Sequence, residues 1–347
     1  MKFYNTGVFI SLFILLISCS ENSSYKAPRF DEVGGLAGDI LIKDVMCTHI
    51  KSLDIIDSLL ILNCQNTLDN KIFYIYNKYT GVLIKTFGET GNGPGELPSF
   101  FDMSVDKEDK RIYAIGNRWN ISYSIDSILK SSTYGYYKKI KGEDLDNSNF
   151  IGFYKDSTLF SICNFSPNRD YRIAILKSNG DIVSKYSFLP AISKIDEEDI
   201  RFRYLFYSYN SLGSLKPDAS KIVLATTCGL NMEIFNISEA EIGLDTLRRY
   251  IKPKYLKTNP IRNDGIFEGI AALQSTNDYI YALWTKDTEK EYPKQIALFS
   301  WKGDAIRRFN LDINIMAFTV ESDDSKVYVA TKDGEGKINI MFYELNK

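Results

Sequence analysis

The sequence predicts an all-β fold, a six-bladed β-propeller closed by an N-terminal strand in the last blade, and three observations carry that prediction. The first is a repeat. Asp324-Ser-Lys-Val-Tyr-Val-Ala330 has five approximate copies upstream, which begin at Asp57, Asp109, Asp156, Asp218 and Asn277. Each is a polar turn feeding a short run of apolar and β-branched residues, the pattern of a strand entered through a turn. The copies put Leu60, Ile112, Leu159, Ile222, Ile280 and Val327 at one equivalent position. A repeat of roughly 40–50 residues with four strands in each marks a propeller blade. The second observation is composition: 23 Tyr and 21 Phe among 347 residues suit strands. The third is a shortfall at the end. The last repeat offers only three strand-like runs, 315–320, 326–330 and 337–345, whereas 38–47 precedes the first repeat and has no blade of its own. Setting 38–47 as the outer strand of the sixth blade closes the ring and removes two open sheet edges.

The N-terminus reads as a targeting segment. Lys2 supplies a positive start, and Val8 to Ile17 is an apolar run too short to span a bilayer comfortably, which takes about 20 residues. The run ends in Leu16-Ile17-Ser18-Cys19. That ending resembles the lipobox of bacterial lipoproteins, in which the Cys is diacylated and becomes the new N-terminus. Cys19 is therefore the expected lipid attachment site, and two or more acyl chains anchor where one does not. Residues 20–35 are polar and unpatterned and read as a tether. The expected organisation is a signal peptide over 1–18, a lipid-anchored flexible tether over 19–35 and the propeller over 36–347.

The blades follow in order. Blade one takes 59–64, 71–77 and 82–87, with a turn at Asn77-Lys-Tyr-Thr-Gly81 whose glycine is free to adopt positive φ. Blade two takes 101–106, 111–115, 121–125 and 136–140. Blade three takes 150–154, 159–163, 171–177 and 182–188, and blade four takes 222–226, 232–237 and 247–251 after an insert over 190–209. Blade five takes 269–274, 279–284, 295–301 and 305–311. No second domain and no long helix are expected.

Two resemblances add to this. Residues 79–97, Tyr-Thr-Gly-Val-Leu-Ile-Lys-Thr-Phe-Gly-Glu-Thr-Gly-Asn-Gly-Pro-Gly-Glu-Leu, resemble the loop that joins blades in NHL-type propellers. Residues 215–237 and 277–311 resemble the TolB-like six-bladed propeller lipoproteins of Bacteroidota. The resemblance spans about residues 35–345. It implies a propeller fold and an envelope location and implies no activity. TolB itself has a further N-terminal domain for which this chain has no room, so its Tol-Pal role does not carry over.

Most candidate chemistry is argued down by residue type. The run Gly88-x-x-Gly91-x-Gly93-x-Gly95 suggests a phosphate loop, but Pro94 lacks an amide donor and no Gly-Lys-Ser/Thr closes the run. Gly334-Glu-Gly-Lys337 reads as a turn. With one His in the chain, His49, a multi-histidine metal site has no ligands and a Ser-His-Asp hydrolase would rest on that residue alone. His49 reads as structural. Asp323-Asp324 and Glu197-Glu198-Asp199 read as solvated acidic turns, and no metal or cofactor is expected. Cys64 and Cys163 occupy equivalent positions in separate blades, too far apart to bridge, so Cys47, Cys64, Cys163 and Cys228 are expected as free, buried thiols.

Binding is what remains. With the strands of each blade lettered A to D from the axis outward, the B–C and D–A connections share one face around the channel. Arg118, Trp119, Arg169 and Trp284 are the candidate contacts there, because Trp and Arg dominate interaction hot spots. The net charge of −2, from 42 basic and 44 acidic residues, with no basic patch, argues against nucleic acid. The expected function is a lipid-anchored cell-envelope module, outer-membrane periplasmic or surface-facing, that binds a protein or a glycan. The alternative is a carboxylate-dependent propeller hydrolase or lyase acting on an envelope or dietary glycan.

Overall fold

The computed structural model describes residues 25–345 apart from 66, 92, 94–95, 98–99, 117–118, 132–137, 142–147, 156–157, 164–170, 172, 178–180, 187–210, 228, 239–240, 252–267, 287–292 and 312. Two strands precede the blades, β1 (Asp31–Val33) and β2 (Gly38–Val45). Blade one is β3 (His49–Ile56), β4 (Leu59–Gln65), β5 (Lys71–Asn77) and β6 (Leu83–Glu89). Blade two is β7 (Phe100–Asp106), β8 (Arg111–Gly116), β9 (Trp119–Ser124) and β10 (Lys138–Lys141), with the short helix α1 (Ile125–Lys130) before β10. Blade three is β11 (Ser148–Lys155), β12 (Thr158–Cys163), β13 (Ile173–Leu176) and β14 (Ile182–Tyr186). Blade four is β15 (Ser211–Leu215), β16 (Lys221–Thr226), β17 (Leu230–Ile237) and β18 (Ile242–Ile251). Blade five is β19 (Glu268–Ser275), β20 (Tyr279–Lys286), β21 (Gln295–Ser300) and β22 (Ala305–Asn310), and blade six begins with β23 (Ile315–Val320), β24 (Lys326–Lys332) and β25 (Ile338–Glu344).

The ring closes as the strand count requires. The sixth sheet has the order β2-β25-β24-β23, and β2 runs antiparallel to β25 with Gly38 opposite Tyr343, Ile42 opposite Ile340 and Val45 opposite Ile338. Each repeat anchor is the second residue of its blade's B strand. Leu60, Ile112, Ile222 and Ile280 are fully buried there and Val327 nearly so; Leu159 holds the same place in β12. The turns that feed these strands are tight enough to force positive φ on residues with side chains: Asp57 at 51°, Lys110 at 51°, Ala219 at 57° and Asp324 at 60°. The core is divided into layers between neighbouring sheets. Ile61, Ile75 and Phe87 of blade one pack on Met103, Ile112 and Tyr123 of blade two, while Leu60 and Tyr74 pack on Ala330 and Ile340 of blade six.

Three elements depart from the expectation. The A strands β3 and β15 complete blades one and four. Helix α1 follows β9 directly, started by Ser124, whose Oγ accepts the Ser127 amide at 3.4 Å, and buried through Ile125 and Ile128.

The larger departure concerns the tether. From Lys26 the chain is docked, not free. The Lys26 amide donates to the Arg249 carbonyl of blade four at 3.0 Å. Phe30 then stands edge-on to Trp284 and Phe299 of blade five, with ring centroids 5.6 and 5.3 Å apart. β1 adds a fifth strand to blade five, parallel to β22, and the Glu32 carboxylate accepts from Arg308 Nε at 3.0 Å. The segment is thus a strap along the outer rim of blades four and five that continues into β2 of blade six. The tether reading fails here because a short parallel edge pairing needs no periodicity to be stable once one aromatic is seated.

Candidate binding surfaces

The expected contact residues divide on inspection. Cys19, Arg118 and Arg169 lie outside the described residues. Trp119 opens β9, opposite Gly116 and Lys141. Trp284 sits in β20 at 2 % exposure. Its ring packs against Phe30 and the blade four and five core, so it joins blades. Its indole Nε1 is buried with no hydrogen-bond partner among the described residues.

The described residues of the glycine-rich run close on one another, with the Leu97 amide donating to the Glu89 carbonyl at 2.7 Å. Gly88 adopts φ 71° against Phe73, where a Cβ would lie 3.1 Å from that ring. The Glu96 carboxylate folds back to accept the Gly93 amide at 2.7 Å, and a Cβ on Gly91 would meet the same carboxylate. An acidic side chain therefore fills the concavity that a phosphate would need. In the 333–336 turn, Asp333 Oδ1 accepts the amides of Glu335 at 3.0 Å and Lys337 at 2.9 Å, which holds its carboxyl below the usual range. Asp324 is 3 % exposed and accepts the Tyr281 hydroxyl at 2.9 Å; it is an inter-blade contact, not a solvated turn residue. Glu197 to Asp199 lie outside the described residues.

His49 starts β3, half-buried opposite Gln65. Burial and the nearby Lys51 and Lys332 ammonium groups hold its imidazole below its ordinary pKa, so it is neutral at pH 7. Two residues earlier, Cys47 packs beside Cys64, both as free thiols. Contact with Cys64 lowers the Cys47 thiol pKa, and the same contact together with burial raises that of Cys64. Cys64 is buried as expected, but Cys47 is only partly so; Cys163 ends β12, and Cys228 lies outside the described residues.

A polar cluster between the A strands of blades one and two has no counterpart in the sequence reading. Ser52 Oγ donates to Asp102 Oδ1 at 2.9 Å, and Asn63 Nδ2 donates to Ser52 Oγ at 3.1 Å. Burial raises the Asp102 carboxyl pKa against the opposing influence of Lys51 and the Met103 amide. The groups acting on it include the Lys51 ammonium, the Met103 amide, the Ser52 hydroxyl and the Asn63 side chain.

The strap creates a second surface. Between it and blades four and five lies a groove of about 630 Å³ whose polar lining is Lys26, Arg29, Arg248, Arg249, Tyr250 and Asp304. Arg248 Nη2 pairs with Asp304 Oδ1 at 2.8 Å, and Tyr250 donates its hydroxyl to the Gly303 carbonyl. Among the described residues no helix is long and apolar enough to cross a membrane.

Comparison with known proteins places this architecture. A family model described as TolB-like 6-blade propeller-like matches residues 40–323. A solved structure from Bacteroides fragilis NCTC 9343, of a protein named as exported, aligns at a TM-score of 0.58 and 13% identity over 92% of this chain and 100% of its own. U3-55K aligns at 0.53 and 12% identity over 90% and 100%, and the Cps50 (Swd1) β-propeller domain of Myceliophteria thermophila at 0.52 and 8% identity over 89% and 100%. These likenesses establish the fold alone. No match was found among curated proteins.

Proposed function

Because this chain belongs to the TolB-like 6-blade propeller-like family, we propose that it is a lipid-anchored binding module of a bacterial cell envelope, taking a protein or a glycan on its B–C and D–A face. The fold is a scaffold and does not itself assign a ligand. The observation that carries the reading is a rigid frame, in which described residues of neighbouring blades are tied together across the A–B face. On the A–B face, neighbouring blades are stapled through their turns: Lys110 Nζ to Asp57 Oδ2 at 2.6 Å, the Asp218 amide to Asn277 Oδ1 at 3.2 Å, and Tyr281 to Asp324. β14 and β18 end, and β15 and β19 begin, on the other face, and the sequence separations between these strands are the longest between consecutive strands. Long loops on a rigid frame are where binding residues concentrate.

The leader over 1–18 and the Leu16-Ile17-Ser18-Cys19 motif support an envelope address, as does the exported designation of the Bacteroides fragilis relative. The test is site-specific photocrosslinking in intact cells, with the crosslinker at Lys286 on the B–C side or at Ser58 in an A–B turn. The proposal expects a discrete adduct from position 286 and none from 58. Equal adducts from both positions, or adducts from 58 alone, would overturn it.

A further inference from the structure

The groove under the strap concentrates four cations, Lys26, Arg29, Arg248 and Arg249. Its one acidic lining residue, Asp304, is already paired with Arg248, and the neighbouring Glu32 is taken by Arg308. Lys26, Arg29 and Arg249 have no carboxylate partner among the described residues, and Lys26 and Arg29 are exposed. The strap backbone holds them in place: the Lys26 amide bonds to the Arg249 carbonyl, and Phe30, one residue beyond Arg29, is seated on Trp284 and Phe299. Fixed cations with an open groove between them suit phosphate-bearing groups, which guanidinium forks bind in two-point fashion.

We propose that this groove seats the phosphate headgroups of an anionic membrane surface, so that the propeller lies with the rim of blades four and five against its own bilayer. The choice of ligand rests on the lipid-anchor reading and on chain length. From Cys19 to Lys26 is seven residues, which span at most about 25 Å when fully extended. Headgroup phosphates are therefore the most concentrated anions within reach of Lys26, Arg29 and Arg249. Juxtamembrane Lys and Arg residues are drawn to anionic leaflets within about a Debye length, roughly 8 Å at physiological salt. The orientation that follows sets the channel axis across the direction of the tether and leaves the B–C and D–A face clear of the membrane.

The experiment uses the unlipidated chain from Ser20 onward, which keeps every residue the structure describes, and measures its sedimentation with vesicles. Vesicles of phosphatidylglycerol in phosphatidylcholine are expected to take up the protein at least about tenfold more than phosphatidylcholine alone, with the difference falling steeply as salt rises. Combined Arg29→Gln and Arg249→Gln should abolish the difference while leaving the melting temperature unchanged. Lys130→Gln, in the exposed last turn of α1, should leave it intact. Equal uptake by neutral and anionic vesicles, or a double variant that behaves like Lys130→Gln, overturns the proposal. Binding of inorganic phosphate without vesicle uptake also overturns it, by assigning the groove to a soluble phosphate. Failure of the anchor reading shows separately, as native protein from cells that carries no acyl mass on Cys19.

Discussion

Lys78 Nζ lies 2.8 Å from both carboxylate oxygens of Glu321, joining the C–D turn of blade one to the A–B turn of blade six. The side chains are only 8% and 14% exposed, and the Tyr328 hydroxyl also donates to Glu321, at 3.2 Å. This is the seam where the ring closes. Removing one partner leaves a buried charge unmatched, which typically costs about 3–5 kcal/mol. Lys78→Met and Glu321→Gln should each lower the unfolding free energy by an amount in that range, read as a fall in the denaturant midpoint. The double variant should lose far less than the two single effects combined, and a double-mutant cycle in urea reads the difference.

Asp102 gives the stability a pH dependence of defined sign. Its pKa is raised by burial in the folded state, so the native protein holds a proton that the unfolded chain releases near pH 4. Stability therefore falls as pH rises from about 4 towards the folded-state value and then levels off. Asp102→Asn keeps an oxygen for the Ser52 hydroxyl and the Met103 amide and carries no charge. The difference in unfolding free energy between variant and parent should grow in the variant's favour across that window. A flat difference between about pH 4 and 8 would show that the carboxyl is as well solvated folded as unfolded.

The blades were legible because each B strand repeats one physical pattern, a polar turn and then an apolar residue with almost no exposure, at Leu60, Ile112, Ile222, Ile280 and Val327. The inner strand β3 was not, since Lys51, Ser52 and Asp54 interrupt its alternation and Ser52 serves the next blade through Asp102. Helix α1 was obscured by its length: six residues give a single i, i+3 pair, Ile125 and Ile128. The strap was missed for a related reason, because Phe30 is its only large aromatic after Tyr25 and three residues of β1 carry no period. The expectation that Trp284 would face a ligand came from residue type, and its 2 % exposure follows from Phe30 covering it.

Cys47 and Cys64, packed side by side, should differ sharply in reactivity. Thiolate is the attacking species. The Cys64 contact and the His49 backbone amide lower the pKa of Cys47, whereas that contact and burial raise the pKa of Cys64. Brief iodoacetamide treatment of native protein at neutral pH should alkylate Cys47 and spare Cys64, with both modified once the chain is unfolded. Cys64→Ala should slow alkylation at Cys47 by removing the contact that favours its thiolate. Peptide mapping by mass spectrometry separates these outcomes, and preferential labelling of Cys64 in the native state would contradict the described packing.

Removing the N-terminus in two steps should give two different failures. A chain beginning after Gly34 loses Phe30 from its seat on Trp284 and Phe299, the β1 pairing and the Glu32–Arg308 ion pair. It keeps β2 and therefore a closed ring. It should remain monomeric yet lose about 2 kcal/mol, the scale of one partly buried aromatic and its edge contacts. A chain beginning after Thr48 also loses β2, and with it the pairing to β25 from Gly38 through Val45. Blade six would then present Ile338, Ile340 and Tyr343, all buried in the intact protein, beside an unpaired strand edge. Such an edge recruits other chains, so this shorter chain should elute as aggregate in size exclusion and show no cooperative melt. If both truncations stay monomeric with equal melting temperatures, β2 does not close the ring in solution.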